Sequence, residues 1–199
     1  MNIKQKIINA GIEVIEEEGI QSVTVRKVAK KAKVNIASIN YYFGTKEKLI
    51  SETLHDSLHA AFSDWNEVVG NCNMKLDCQL KKFFIHWISG IINYPNMTKA
   101  HLYAPIVNCN YKGLFVKHFN LFLENLHRTI KNSCPEMTST QVNFTIMQIM
   151  SAVAFVSLVP NLFKSFSGID LHNVKTQKNY IDHLINVYSK NYNFNKENS

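Results

Sequence analysis

The 199-residue chain is short of the features that mark secreted, metal-bound or catalytic proteins. It has four cysteines, Cys72, Cys78, Cys109 and Cys134, and their spacing fits neither a disulfide framework nor a metal-ligand pattern. Such usage suits a reducing cytoplasm. The N-terminus carries no basic stretch followed by an apolar core and cleavage site, so no signal peptide is expected. There is no nucleophile elbow, P-loop, dinucleotide fingerprint or carboxylate pair in an apolar setting. The chain is therefore not expected to be an enzyme or to carry a catalytic residue or a cofactor. His55 and His59, four apart with Asp56 between, have a spacing that can hold a metal, but no third ligand accompanies them and no metal site is expected. No alternating strand pattern, internal repeat or low-complexity domain competes with helical periodicity, and the tail after Tyr192 is polar.

Acidic residues are also scarce: 15 Asp and Glu face 22 Lys and Arg, for a formal net charge of +7. The excess is local. Arg26, Lys27, Lys30, Lys31, Lys33, Lys46 and Lys48 lie between positions 24 and 48 with only Glu47 against them, a net of +6. A patch of this kind binds phosphates by releasing counterions.

The same stretch reads as a helix-turn-helix. Thr24 can cap a helix in which Val25, Val28, Ala29 and Ala32 share one face. Lys33-Val34-Asn35 is a short turn, and Asn35 can cap a second helix from Ile36 to about Phe43. Ile39 and Phe43 point inward, which leaves Ile36, Ala37, Ser38, Asn40, Tyr41 and Tyr42 for a DNA groove. Asn pairs with adenine, Ile meets a thymine methyl, and hydroxyls bond phosphate. Thr45 and Lys46 open a third helix.

These residues resemble the TetR family of transcriptional regulators. The resemblance runs ungapped over about fifty residues: an amphipathic helix from Lys6 to Glu18-Gly19, Thr24-Val25-Arg26-Lys27-Val28-Ala29, Ala32-Lys33-Val34, Ser38-Ile39-Asn40-Tyr41-Tyr42-Phe43, and Thr45-Lys46-Glu47-Lys48-Leu49. Asn40 stands where Tyr is more usual, which bears on the bases read. The resemblance implies an all-α fold, with a helix-turn-helix DNA-binding domain over 1–47 and a helical effector-binding and dimerisation domain over 48–199. It implies DNA contacts from Thr24, Arg26, Asn35, Ile36, Ala37, Ser38, Asn40, Tyr41, Tyr42 and Lys46.

The rest of the chain repeats amphipathic helices. Leu49, Ile50, Leu54, Leu58, Ala61, Phe62, Trp65 and Val68 mark a long helix ending at Gly70-Asn71. Further helices are expected over about 76–92, 114–132 and 139–160, and around Tyr180 to Tyr188, with an irregular stretch containing Pro105 between the first two. No charge occurs from Met137 to Phe163. Polar residues interrupt that run and its apolar core is short, so a helix buried on nearly all sides is expected rather than a membrane span. The resemblance implies that the helices near 114–132 and 139–160 pair with a second copy of the chain, and Ala152 is small enough to sit at such a contact. It also implies an effector pocket, for which Phe62, Trp65, Phe84, Trp87, Tyr103 and Phe119 are candidates.

The expected function is that of a homodimeric repressor that binds a palindromic double-stranded DNA operator, released by a small apolar or aromatic effector that spreads the two recognition helices. The alternative is a DNA-binding regulator without a small-molecule effector, controlled by abundance or a protein partner.

Overall fold

A computed structural model describes residues 2–69, 74–192 and 194, with the side chains of 64 and 66–69 outside that description. Val68, Gly70-Asn71 and Cys72, which enter the sequence reading, lie outside it as well. The described residues are all-α, with ten α-helices and no strand. In chain order these are α1 (Ile3–Glu18), α2 (Val25–Ala32), α3 (Ile36–Phe43), α4 (Lys46–Val69), α5 (Leu76–Asn93), α6 (Pro95–Val107), α7 (Leu114–Ser133), α8 (Ser139–Leu158), α9 (Pro160–Ser167) and α10 (Val174–Tyr192). A 3-10 turn over Ile20–Ser22 joins α1 to α2.

Two of these helices begin where the sequence reading placed a break. Pro95 and Pro160 each sit at the first position of a helix. That position has no intrahelical acceptor for its N–H, and a φ fixed near the helical value suits it. The stretch around Pro105 is therefore helical, and Pro160 starts α9 as well as closing α8.

The helices form two compact units, Met1–Phe62 with Tyr94–His118, and Ser63–Asn93 with Phe119–Ser199. In the first unit Ile7, Val14, Ile15, Val23, Val28, Ile39, Phe43 and Leu49 make one apolar core with Met97 and Ala100 of α6. The first turn of α6 has no side-chain cap of its own. Glu16 of α1 supplies one: its carboxylate accepts from the backbone N–H of Asn96 at 3.2 Å and of Met97 at 2.9 Å. Asn96 Nδ2 donates in return to the Glu16 carbonyl at 2.8 Å. A carboxylate at a helix N-terminus meets both the orphan donors and the positive end of the dipole.

In the second unit α5 presents Leu80, Phe83, Phe84 and Ile88 inward, α7 presents Phe122, Leu126 and Ile130, and α10 presents Ile181 and Ile185. The rings of Trp65, Phe83 and Phe122 lie 4.8–5.7 Å from one another, and that of Trp87 lies 6.0 Å from Phe83 and 6.1 Å from Trp65. Edge and tilted aromatic contacts at such distances add to the burial of area.

The uncharged helix α8 departs from expectation. Thr138 and Gln141 form a reciprocal capping box at its start. Its inward face, Val142, Ile146, Ile149, Met150 and Val153, is buried. The opposite face is not: Phe144, Met147 and Phe155 are 59%, 63% and 56% exposed. Burial is one-sided because neighbours cover only part of a helix that is apolar nearly all round. By length and composition alone, Ser139–Leu158 could cross a membrane, with a mean hydropathy of 1.4. Ala152 lies beside the exposed stripe rather than on it. It is half-buried, and its carbonyl accepts from the Tyr180 hydroxyl of α10 at 3.1 Å.

Candidate nucleic-acid interface

Local chemistry fixes α2 and α3 at both ends. Thr24 Oγ1 accepts from the Lys27 N–H at 3.2 Å, and Asn35 Oδ1 accepts from the Ser38 N–H at 2.7 Å. Between them the chain turns through Lys33, whose φ of 52° lies in the left-handed region. The Val34 N–H donates to the Ala29 carbonyl at 3.0 Å and the Lys33 N–H to the Lys30 carbonyl at 3.2 Å. That pair of bonds is a Schellman closure. Val34 then packs on the core below. Thr45 Oγ1 accepts from the Lys48 N–H at 3.1 Å and so caps α4.

The inferred DNA-contact residues stand as follows. Thr24, Arg26, Asn35, Ile36, Ala37, Asn40 and Tyr41 are exposed, and Ser38, Tyr42 and Lys46 are half-buried. Tyr41, at 83% exposed, projects furthest. Ile39 and Phe43 are buried and hold the helix to the core. Ser38 differs from its neighbours. Its hydroxyl lies 3.0 Å from Asn35 Oδ1 and donates to it, so both side chains are engaged in the cap.

The cations divide into two groups, which their count in the sequence does not reveal. Lys27 pairs with Glu18 at 2.5 Å, and Lys31 with Glu17 at 2.5 Å and Glu13 at 3.5 Å. The hydrogen bond to Glu17 raises the Lys31 pKa above the ordinary lysine value. Lys48 lies 3.3 Å from Glu52, whose carboxyl the Lys4 ammonium, 2.6 Å away, holds below its usual range. Among the described residues, Arg26, Lys30, Lys33 and Lys46 form no ion pair. The acids of the Glu16-Glu17-Glu18 run were visible in the sequence. That Glu17 and Glu18 reach back to α2 was not, because the pairing depends on how α1 crosses α2.

The effector candidates fall in both units. Phe62 is buried in the first, its ring 6.2 Å from that of Phe115 and 5.6 Å from that of His118, while Tyr103 on α6 is exposed. Trp65, Phe84 and Trp87 belong to the ring cluster of the second unit, where Phe119 is half-buried on α7. His55 and His59 are exposed and stack at 6.5 Å, and His118 titrates below the usual range through burial and then through their charges. Among the described residues no three His, Cys, Asp or Glu side chains are grouped to hold a metal.

His101 of α6, which by sequence could line a pocket with nearby Tyr103, sits against Ser57 of α4. Its Nε2 lies 2.9 Å from Ser57 Oγ, and the Ser57 hydroxyl donates to the Leu54 carbonyl at 3.0 Å. Burial pushes the His101 pKa down to about 4.

Residues 7–53 match the model of the bacterial regulatory proteins of the TetR family. The transcriptional regulator BetI of Brucella anthropi is 36% identical over 67 residues, 34% of this chain and 34% of that protein. The match thus spans about a third of the length of this curated relative. The fold extends further. A TetR transcriptional regulator from Legionella pneumophila superposes with a TM-score of 0.68 at 18% identity, covering 92% of this chain and 97% of that one. The regulator FadR of Bacillus subtilis, solved in complex with stearoyl-CoA, superposes with a TM-score of 0.59 at 18% identity, covering 91% and 97%. Residues 7–53 thus carry a helix-turn-helix of the bacterial TetR family, and the described residues have the fold of TetR regulators.

Proposed function

We propose that the protein is a cytoplasmic homodimeric repressor that binds a palindromic duplex operator through α2 and α3 and is released by a small apolar or aromatic effector. The observation that carries the DNA-binding part is the outward face of α3. It is held by caps at its start, bears exposed Ile36, Ala37, Asn40 and Tyr41, and is flanked by Arg26, Lys30, Lys33 and Lys46 without ion-pair partners among the described residues. Base-reading groups framed by phosphate-binding cations form the division of labour that duplex recognition needs. In this reading residues 1–47 serve DNA and residues 48–199 serve effector and partner.

The exposed stripe Phe144, Met147 and Phe155 of α8 supports a second copy as partner. Large apolar side chains left exposed on one helix face suit an interface, and an isologous pairing would cover the same face on both chains. The complex of FadR with stearoyl-CoA shows that a protein of this fold can hold a ligand with an acyl chain, and within the second unit Trp65, Phe84, Trp87 and Phe119 are the residues we assign to an effector.

Sedimentation of the full chain and of Met147→Glu, paired with anisotropy titrations on duplex DNA at several salt concentrations, tests the reading. A wild-type dimer with salt-dependent binding and a monomeric, weakly binding variant are expected. A wild-type monomer, or binding indifferent to salt, would overturn it.

A further inference from the structure

We infer that the bases lying under α3 are A·T pairs, with adenine read by Asn40 and thymine methyls by Ile36 and Ala37. This rests on the DNA-binding reading above and deepens it. The helix Ile36–Phe43 contains no charged residue. Two of its side chains, Ile39 and Phe43, are buried. Ser38 has spent its single hydroxyl donor on Asn35 Oδ1. Tyr42 is half-buried, with its ring 5.1 Å from that of Tyr41 and 6.5 Å from that of Phe43. The groups left for base edges are Ile36, Ala37, Asn40 and the Tyr41 hydroxyl.

That set has a definite chemical preference. Guanine offers two adjacent acceptors in the major groove, and the side chains that satisfy both are Arg and Lys. None lies on this face. Lys27 and Lys31 are held by the carboxylates of α1. Arg26 and Lys30 belong to α2, Lys33 to the turn and Lys46 to α4, so none of them stands on α3. Adenine offers one acceptor and one donor side by side, which a single carboxamide matches. The Asn40 amide is exposed and makes no hydrogen bond among the described residues. Thymine offers a methyl group, for which exposed Ile36 and Ala37 are apolar partners.

The test is selection of the full-length protein on random duplexes, then titration of the selected site. A·T pairs are expected at the centre of each half-site. Replacing their thymines by deoxyuridine removes one methyl each and is expected to weaken wild type about fourfold per contacted base, and Ile36→Ala to lose that sensitivity. Asn40→Ala is expected to relax one adenine position by about 5- to 150-fold. Both side chains are exposed, so unchanged thermal melting of the two variants separates lost contacts from lost folding. A selected site with G·C pairs under α3, or one indifferent to deoxyuridine and to Asn40→Ala, overturns the inference while DNA binding stands. Enrichment of no duplex overturns the DNA-binding reading and this inference with it.

Discussion

A Cβ placed on Gly11 of α1 would lie 2.7 Å from Thr53 Oγ1 and 3.1 Å from the Thr53 methyl carbon. Thr53 has little room to yield. It is 1% exposed, and its hydroxyl donates to the Leu49 carbonyl at 2.8 Å. Gly11 therefore lets α1 approach α4 closely at Thr53. Gly11→Ala gains helix propensity of about 1 kcal/mol but overpacks the contact by about 1–3 kcal/mol. Net destabilisation is expected in urea unfolding. Adding Thr53→Ala should recover most of the loss, because it removes both clashing atoms. A double mutant as unstable as Gly11→Ala would show that Thr53 is not the obstacle.

Lys33 occupies a left-handed position that Gly fills without strain. Lys33→Gly is expected to stabilise the folded chain by roughly 1 kcal/mol, read from the denaturant midpoint. The same change removes a cation, so DNA affinity should fall while stability rises. A fall in both would mean that the lysine stem packs on the turn.

His101 gives stability a pH dependence. Its ordinary value is 6.5, and in the fold burial lowers it to about 4. The folded state thus resists protonation. The contribution is complete above pH 6.5 and is lost as pH falls toward 4, by an amount of order 3 kcal/mol. Unfolding of wild type and His101→Gln across this window should show the loss in wild type and a flatter profile in the variant. Parallel profiles would assign the acid sensitivity elsewhere.

The division of cations predicts unequal effects on DNA binding. Lys46 has no ion-pair partner among the described residues, and Lys46→Ala should flatten the salt slope by roughly one unit. Lys31→Ala should change it by less than half as much, since Glu17 and Glu13 already neutralise that ammonium. Equal slopes for the two variants would show that the α1 acids release Lys31 when DNA binds.

Much of the head was settled by local sequence. Thr24, Asn35 and Thr45 cap their helices as their positions indicate, because a cap needs only a short polar side chain and backbone N–H groups two or three residues ahead. The inward positions of Val28, Ala29, Ile39 and Phe43 follow from helical periodicity alone. The family resemblance lay in that same stretch for the same reason. Pairings across distant segments belonged to the tertiary structure. The clasp of Glu16 on the first turn of α6, the neutralisation of Lys27 and Lys31 by α1, and the contact of Gly11 with Thr53 each depend on the crossing of helices. The exposed stripe of α8 is the plainest case: its composition is apolar nearly all round, so periodicity carries no face, and only the placement of its neighbours decides which side is left uncovered.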